Sequence, residues 1–342
     1  MTIQVNRQWR IARRPVGRAR AADFEWREDR MPTPKPGQVL IRNELLSLDP
    51  TLRPWMRQEE TFLPALELGA VMRGMTIGVV ERSRNPSLPE GTRVLGLTGW
   101  QDFALSDGKE EYLLTLPTDP AISPSMCVGL LGHVGIAAYF GLLDVGQPRR
   151  GETLVVSAAA GAIGSLVGQI GKLQGCRVIG IAGSAAKCRW ITEELGFDAA
   201  INYKEESAHR RLQELCSGGI DIYFDNVGGP LLEDVLNDLN TKARVVLCGM
   251  LSSYNDVAGT LTLPAGPNNL LNLMTRRARM EGFVCLDYWG RSPQAFEALL
   301  DWHRQGKIKY RVELVEGLRN APAAMNSLFD GANRGKLAVA LP

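Results

Sequence analysis

The feature that most constrains the fold is a run of small residues between an apolar strand pattern and a helical pattern. Residues 155–165 read VVSAAAGAIGS, and LVGQIGKL follows at 166–173. A buried strand that runs through a glycine-rich turn into a helix can hold the pyrophosphate of a dinucleotide, because backbone N–H groups and the positive end of the helix dipole meet the anion there. The segment therefore predicts a nicotinamide-type cofactor.

The glycine pattern of this turn is incomplete. Gly161 and Gly164 occupy the last two glycine positions of the fingerprint, and Ala159 stands at the first. Turns of small residues also occur wherever a strand and a helix pack closely, so packing alone is the alternative. A second apolar strand pattern, CRVIGIAG at 176–183, completes a βαβ unit and favours the cofactor site.

The end of that second strand predicts which dinucleotide binds. An NAD site usually carries an acidic residue there for the ribose 2′-OH, whereas a 2′-phosphate requires neutral or cationic groups. Here Gly183 and Ser184 are followed by Lys187 and Arg189, with no acidic residue before Glu193. The pattern predicts NADP(H), and the alternative for the two cations is a solvated helix face.

Composition is that of an ordinary globular enzyme. The 342 residues are 45% hydrophobic, which is sufficient for two domains with separate cores, and the net charge of +2 gives no basis for a nucleic-acid partner. Six scattered cysteines without a CxxC pair favour a reduced, cytoplasmic protein. We expect no membrane partner, because the apolar stretches are interpreted as short strands, and we interpret the six arginines of residues 7–20 as a solvated starting segment.

Two patterns of predicted secondary structure divide the chain. Short β-like runs with turn signals between about 34 and 118 predict an antiparallel, barrel-like domain. After Pro120 the pattern alternates between helix and strand, which is typical of a doubly wound parallel α/β sheet. The six strands of that sheet are predicted near 153–157, 177–182, 199–203, 220–226, 243–248 and 279–284.

The end of the chain predicts a discontinuous first domain. Its last segment reads as strand, helix and strand, and we expect it to return to the antiparallel domain. The predicted domains are therefore 1–125 with 303–342 for the substrate and 126–302 for NADP.

Ligands for a catalytic zinc ion are scarce. The chain has three histidines, at 133, 209 and 303, and the stretch between Cys127 and His133 supplies no third ligand. We predict no metal. Without a Lewis acid to polarise an alcohol or carbonyl oxygen, reduction of a C=C bond conjugated to a carbonyl fits better than alcohol oxidation.

Ordered motifs along nearly the whole chain resemble one family. They include LLSLDP at 45–50, GWQDFALSD at 99–107, FDNVGG at 224–229, CGMLSSYN at 248–255 and NRGK at 333–336. The chain resembles the zinc-independent medium-chain dehydrogenases/reductases, and within them the double-bond reductases, which include prostaglandin/leukotriene, plant alkenal and bacterial curcumin reductases.

The resemblance implies a Rossmann sheet, a GroES-like domain and a homodimer. It implies NADPH-dependent hydride transfer to the β-carbon of an α,β-unsaturated ketone or aldehyde. Two alternatives remain open: an NADPH quinone reductase of the same superfamily, and an NADPH-binding protein without turnover. CGMLSSYN and GWQDFALSD favour the enone or enal reductase.

Tyr254 is the candidate catalytic residue. Hydride addition to the β-carbon places negative charge on the carbonyl oxygen, which requires a hydrogen-bond donor, and the α-carbon then requires a proton. Tyr254 follows the fifth predicted strand of the parallel sheet, at the carboxyl edge where ligands of this fold bind. The alternative is a tyrosine that only orients or packs.

The resemblance also implies the remaining cofactor contacts. Those near the pyrophosphate are Gly161, Ala162, Ile163 and Gly164, and those near the 2′-phosphate are Gly183, Ser184, Lys187 and Tyr203. Further contacts are Asn226, Cys248, Gly249, Met250, Ser253, Tyr254, Phe283, Val284, Cys285 and Asn333.

Three residues are expected to line the substrate pocket: Thr51, His133 and Tyr288. Thr51 stands where many relatives have tyrosine, and His133 where methionine is common. These departures leave the identity of the enone or enal open.

Overall fold

The computed structural model describes residues 5–117, 119–255 and 266–342, which contain two large sheets of different kind and a two-stranded sheet. The described strands are β1 (Val5–Ile11), β2 (Phe24–Arg30), β3 (Val39–Leu48), β4 (Thr76–Ser83), β5 (Arg93–Gly96), β6 (Phe103–Ser106), β7 (Leu114–Thr115), β8 (Thr153–Val156), β9 (Arg177–Ala182), β10 (Ala199–Asn202), β11 (Ile220–Asp225), β12 (Leu239–Leu247), β13 (Arg279–Gly282), β14 (Val312–Glu316) and β15 (Lys336–Ala340).

The α-helices of the described residues lie between β7 and β8, between successive strands from β8 to β13, and on either side of β14. They are α1 (Pro124–Gly129), α2 (His133–Phe140), α3 (Ala162–Leu173), α4 (Ala185–Arg189), α5 (Ala208–Leu215), α6 (Gly229–Leu236), α7 (Leu271–Arg276), α8 (Ser292–Arg304) and α9 (Ala321–Ser327).

The described chain divides into two units. Residues up to Val128, Tyr254 with Asn255, and Val312–Pro342 form the first unit, and Gly129–Ser253 with 266–311 form the second. The sequence-based boundaries at 125/126 and 302/303 remain predictions, and they lie three and nine residues before the corresponding divisions.

The second unit contains a parallel six-stranded sheet, which confirms the doubly wound α/β prediction. Its strand order is β10-β9-β8-β11-β12-β13, and every neighbouring pair is parallel. The central strands carry near-continuous apolar residues because helices cover both faces of such a sheet. The strand order reverses between β8 and β11, and ligands of open α/β sheets bind beyond the carboxyl ends at that point.

Two of the predicted strands differ from the observed strands by two or more residues at one end. β12 begins at Leu239 rather than 243, and the register of its pairing with β11 shifts between Ile220 and Ile222. Lys242 within it has φ of +63°, a left-handed conformation that interrupts a regular strand pattern. β13 ends at Gly282, where the chain turns toward a 3-10 helix at Cys285–Arg291.

The first unit contains a mainly antiparallel sheet of order β14-β15-β3-β4-β5-β7, with β6 also paired to β3. β3 is the central strand, and eight of its ten residues are buried. β15 pairs antiparallel with β3, from Leu337 opposite Leu48 to Ala340 opposite Leu45. The end of the chain therefore completes the sheet that the first third begins, which confirms a discontinuous domain.

The N-terminal segment is more ordered than we expected from its arginines. β1 and β2 form an antiparallel hairpin in which Trp9 pairs with Trp26. Three of the arginines keep a third or more of the side chain exposed and also form ion pairs, Arg7 with Asp102, Arg10 with Asp29 and Arg18 with Asp330. The pairs of Arg7 and Arg18 link this segment to later parts of the first unit, and the pair of Arg10 joins the two strands of the hairpin.

One apolar stretch is longer than the sequence interpretation allowed. Within the described ranges, Pro124–Gly146 is long and apolar enough, by length and composition alone, to cross a membrane. In the structure, 89% of the most apolar part of this stretch is buried inside the protein. Its helical path is interrupted between Gly129 and His133. A buried core helix of this kind passes the same test, so the stretch is weak evidence for a membrane span.

Candidate active site

The glycine turn after β8 leaves the start of α3 open to an anion. Gly161 is the N-cap of α3, and no described side chain caps the helix. The first-turn amides of Ala162, Ile163 and Gly164 have no intrahelical acceptor, so their N–H groups point out of the helix end. They meet the requirement of a pyrophosphate for backbone donors and a positive helix dipole.

Close backbone packing explains the glycines of this turn. A Cβ on Gly164 would lie 2.5 Å from the carbonyl oxygen of Ala158, and one on Gly161 would lie 3.0 Å from the same atom. Ala158 itself has φ of +46°, which bends the chain from strand to helix. The turn therefore fits a dinucleotide although Ala159 replaces the first glycine.

The residues predicted for the 2′-phosphate lie together at the carboxyl ends of β9 and β10. The parallel register places Ala182 opposite Asn202, so the residues that follow each strand are neighbours. A Cβ on Gly183 would approach the Tyr203 ring at 3.1 Å. The Ser184 hydroxyl accepts a hydrogen bond of 3.3 Å from the Lys187 backbone N–H and caps α4.

Lys204 joins this group, and the sequence interpretation missed it. Its Cε lies 3.3 Å from the position that a Cβ on Gly183 would take. Arg189, which the sequence favoured with Lys187, is exposed at the last residue of α4. The signal for Lys204 was its place directly after the strand predicted at 199–203, which becomes informative only once β10 is known to pair with β9.

The loops after β11 and β12 carry the next group of predicted contacts. The Asn226 side chain donates 2.7 Å from its Nδ2 to the carbonyl oxygen of Ser157, across the point where the strand order reverses. The N–H groups of Cys248 and Gly249 donate to the carbonyl oxygen of Asp225 at 2.8 and 3.1 Å. These three loops therefore meet at the edge where the fold binds its ligand.

The neighbouring side chains of these loops make local contacts within the second unit. Met250 packs against Gly228, whose φ is +69°. Ser253 donates from its hydroxyl to the carbonyl oxygen of Met250 at 3.0 Å. Burial raises the pKa of Cys248 far above its usual range, so this thiol stays protonated.

Phe283, Val284 and Cys285 follow β13 on the same unit. The Phe283 ring packs edge-on against Phe224, with ring centroids 6.3 Å apart, and leaves no room for a Cβ at Gly141. Val284 is the N-cap of the 3-10 helix that Cys285 begins. The Phe283 ring is thus part of the packing, and we expect any cofactor contact here to involve the backbone.

Tyr254 belongs to the first unit and is held there by an arginine. Its carbonyl oxygen accepts a hydrogen bond of 3.2 Å from Arg57 Nη2. Arg57 ends a pair of short 3-10 helices, Pro50–Leu52 and Pro54–Met56, and the first of these contains the half-buried Thr51. The structure therefore ties Tyr254 to the segment that carries a predicted substrate residue.

Asn333 lies just before β15, the last strand of the first unit. Its Nδ2 donates 2.9 Å to the carbonyl oxygen of Gly335 in the turn before β15. The next residue, Lys336, is buried and donates from Nζ to Leu48 O and Asp49 Oδ1, both at 2.6 Å. The NRGK and LLSLDP motifs therefore meet in the structure.

His133 and Tyr288 belong to the second unit. His133 is the first residue of α2, and Tyr288 stacks on Phe140 at the end of that helix, with ring centroids 4.7 Å apart. The Arg291 guanidinium lies 4.5 Å from the Phe140 ring centroid. Burial raises the pKa of Tyr288, which keeps its phenol protonated.

Among the described residues, no group of three or more His, Cys, Asp or Glu side chains is placed to hold a metal ion. Cys127 is buried, and desolvation raises its pKa to about 11, which disfavours the thiolate that zinc requires. His303 Nδ1 lies 2.9 Å from the carbonyl oxygen of Ile308. Cys127 and His303 therefore show no sign of a shared metal site within the part of the chain that the structure describes.

Comparison with known proteins agrees with this geometry. A family model described as "N-terminal domain of oxidoreductase" matches residues 7–113, and one described as "Zinc-binding dehydrogenase" matches residues 162–304. The chain is 44% identical over 341 residues to NADPH-dependent curcumin reductase of Escherichia coli (strain K12), covering 98% of this chain and 97% of that protein.

Two further relatives extend the comparison. The chain is 39% identical over 310 residues to 2-alkenal reductase (NADP(+)-dependent) of Nicotiana tabacum, covering 88% of this chain and 86% of the relative. The crystal structure of CurA in complex with NADPH from Vibrio vulnificus superimposes with a TM-score of 0.91 at 44% identity, covering 98% and 99% of the two chains.

Proposed function

The chain belongs to the zinc-independent medium-chain dehydrogenases/reductases, in their double-bond reductase group, and we propose that it reduces the C=C bond of α,β-unsaturated ketones and aldehydes with NADPH. The observation that carries the proposal is the second unit's open α3 terminus beside the group formed by Gly183, Ser184, Lys187 and Tyr203. That group lacks the acidic residue that an NAD site would place there.

We assign NADPH to this carboxyl edge. The first-turn amides of α3 would hold the pyrophosphate, and the cations beside Gly183 would pair with the 2′-phosphate. When bound, NADPH supplies the hydride that adds to the β-carbon of the enone. The protein's part is to hold both partners and to supply the hydrogen-bond donor and the proton.

We propose that Tyr254 is the donor to the carbonyl oxygen of the substrate. A phenol can stabilise an enolate oxygen by a hydrogen bond and can pass on its proton directly or through water. The bond from Arg57 to the Tyr254 carbonyl fixes the backbone at this residue. The substrate-binding residues of the proposal are Thr51, His133 and Tyr288.

An activity assay with three substrate classes tests the proposed reaction. NADPH consumption is followed with a short enone, an enal and a quinone, and the products are identified by mass spectrometry. We expect the saturated ketone and aldehyde. Turnover of the quinone alone would favour a quinone reductase, and NADPH binding without turnover would contradict an enzymatic role.

A tyrosine variant tests the role of Tyr254. General acid assistance contributes about 10²–10⁴-fold to a rate, so Tyr254→Phe should lower kcat by about 10²-fold while the Kd for NADPH changes little. Tyr310→Phe, at a tyrosine that packs against His303, is the matched control. Full activity of Tyr254→Phe would remove this residue from catalysis.

Three broader statements belong to the same proposal. We propose a homodimer, which sedimentation should report as twice the 37.5 kDa chain mass. We propose a cytoplasmic location, which suits the six cysteines, all of them within the described residues and none of them in a disulfide. We propose that 1–125 with 303–342 bind the substrate and that 126–302 bind NADP. Mapping which residues contact each ligand would check this division.

A further inference from the structure

Asp225 is a buried carboxylate that the proposed reaction does not use. It ends β11 next to the point where the strand order reverses, and none of its surface is exposed. Burying a charge is costly unless hydrogen bonds compensate it. The donors around Asp225 therefore indicate what the charge does.

Only one oxygen of the Asp225 carboxylate, Oδ1, accepts hydrogen bonds from the described residues. Asp225 Oδ1 accepts from the hydroxyls of Ser157 and Tyr223 at 2.9 and 2.8 Å, and from the N–H groups of Val227 and Gly228 at 2.9 and 3.0 Å. Oδ2 is buried and accepts from none of the described residues. Oδ1 thus joins the residue after β8 to the loop after β11.

Ser157 extends this connection to Asn226. A hydroxyl carries one proton, and by donating it to Asp225 the Ser157 hydroxyl keeps its lone pairs for other donors. The Asn226 N–H donates to that hydroxyl at 2.8 Å, and Asn226 Nδ2 donates to Ser157 O at 2.7 Å. The carboxylate therefore sets the hydroxyl direction that fixes the Asn226 backbone.

The backbone of Asp225 adds the third loop. Its carbonyl oxygen accepts from Cys248 and Gly249, the first residues after β12. Two later bonds, from Leu251 N to Asn226 O and from Ser252 N to Val227 O, hold the same two loops together. Loops after three adjacent strands therefore meet at one residue.

Burying the ionised Asp225 carboxylate costs folding stability, which favours a role for it in binding rather than in folding. Burial raises the pKa of Asp225, and the hydrogen bonds from Gly228, Val227, Tyr223 and Ser157 oppose the rise without cancelling it. A carboxyl group whose pKa is raised on folding contributes stability at low pH that is lost as the pH rises through the folded-state pKa. At neutral pH the ionised Asp225 therefore gives a lower free energy of unfolding than a protonated carboxyl group would at the same place.

We propose that Asp225 is a positioning residue for NADPH, which fixes Asn226 and the loops after β11 and β12 in the conformation that the cofactor binds. A preformed loop binds more tightly because its ordering does not have to be repeated on association. This inference rests on the proposed cofactor site, since Asn226 and 248–253 are its expected contacts.

Two variants test the inference through the Kd for NADPH, measured by fluorescence titration. Asp225→Asn keeps the shape but removes the charge that orders the donors, and Ser157→Ala removes the link to Asn226. A hydrogen bond to a charged group contributes enough that we expect the Kd to rise about tenfold in each. We expect kcat at saturating NADPH to stay within about twofold, a split that a loss of stability alone would not produce.

Comparison variants separate positioning from general damage. Tyr223→Phe removes a donor from the strand rather than from a loop, so it should raise the Kd less than Ser157→Ala does. Asp102→Asn, at a buried carboxylate of the first unit that accepts from Arg7, should leave the Kd unchanged. A Kd that rises equally in all four variants would overturn the inference.

A variant of Asn226 separates the two levels of the proposal. If Asn226→Ala weakens NADPH while Asp225→Asn and Ser157→Ala bind as the wild type does, the cofactor site stands and the positioning role fails. If Asn226→Ala binds as the wild type does, both fail. Thermal unfolding of each variant without NADPH checks that the protein measured is folded, and Ser157→Ala carries the test if Asp225→Asn does not fold.

Discussion

At the residue scale, two lysines near Gly183 bear on the choice between NADPH and NADH. Lys187 lies in the first turn of α4, and the Lys204 side chain reaches the space beside Gly183 from the turn after β10. A cation pairs with a 2′-phosphate and gains nothing from a 2′-hydroxyl. Their removal should therefore affect the two dinucleotides differently.

Charge reversal at these lysines is expected to weaken NADPH selectively. Charge-assisted hydrogen bonds contribute about 1.5–3 kcal/mol, so Lys187→Glu and Lys204→Glu should each raise the Kd for NADPH about tenfold or more and change the Kd for NADH much less. Lys307→Glu, at an exposed lysine after α8, is the control. Equal effects on both dinucleotides would contradict the 2′-phosphate assignment.

The sequence could suggest some of these residues and not others. Lys187 and Tyr203 stand in motifs with a recognisable spacing from the glycine turn. Lys204 and Asp225 act through partners that are distant in the chain, since Lys204 approaches Gly183 only through the pairing of β9 with β10, and Asp225 meets Ser157 across 68 positions. Contacts of that kind arise from strand register, which a single sequence does not specify.

At the element scale, the junction between β8 and α3 depends on the absence of a side chain. A Cβ at Gly164 would lie 2.5 Å from Ala158 O and 2.9 Å from the Ala159 Cα, both backbone atoms that cannot move alone. Gly164→Ala should lower the free energy of unfolding by about 1–3 kcal/mol and weaken NADPH, because the helix start must shift. Urea unfolding and NADPH titration measure the two effects.

A second glycine provides the control for that substitution. Gly218 precedes β11, and a Cβ there would meet no atom within 4 Å. Gly218→Ala should therefore leave NADPH binding unchanged. If Gly164→Ala proved as stable and as tight a binder as Gly218→Ala, the close packing of the turn would not matter to the site.

The ends of β3 and β15 are joined by a buried ion pair. The Lys336 side chain is 1% exposed and contacts Asp49 Oδ1 at 2.6 Å, whereas Lys172 and Asp198 form an ion pair at 2.8 Å with about a third of each side chain exposed. Breaking a buried pair leaves a charge without compensation, so Lys336→Met should cost about 3 kcal/mol. Lys172→Met should cost no more than about 1 kcal/mol.

Lys336 should also make the free energy of unfolding depend on pH. Burial lowers the pKa of Lys336 from its ordinary value of 10.5, and the Asp49 carboxylate opposes the shift. Between the lowered pKa and 10.5 the unfolded chain binds more protons than the folded one, so the contribution of Lys336 to the free energy of unfolding rises with pH there. Unfolding at alkaline pH should show this rise in the wild type and not in Lys336→Met.

The elements that sequence patterns missed have a common physical reason. β1 was not predicted because the buried residues of its alternation are polar: Asn6 and Gln8 are 2% and 6% exposed. Asn6 exchanges hydrogen bonds with Phe103, so polar contacts help to hold a strand whose pattern is not that of an apolar face. The apolar strands β8, β9 and β11, by contrast, were predicted to within two residues.

At the scale of the whole molecule, the chain builds its first unit from both ends. β15 and β3 pair although nearly 300 residues separate them, and the second unit's parallel sheet lies between them in the sequence. The change from short strands with turn signals to alternating helices and strands could be predicted from the sequence, because the two patterns belong to different sheet architectures. The partner of β15 was expected only from the strand–helix–strand rhythm and the family resemblance.

NADPH should stabilise the folded molecule as a whole by mass action. A ligand that binds only the folded state adds about 2.7 kcal/mol to the free energy of unfolding at a free concentration of 100 times its Kd. If the 2′-phosphate is recognised, NADH at the same concentration should give a much smaller increase in Tm, and adenosine 2′,5′-bisphosphate should give a measurable increase of its own. Equal shifts with NADPH and NADH would mean that the group beside Gly183 does not recognise the 2′-phosphate, whereas selective shifts that vanish in Lys187→Glu would assign that recognition to α4.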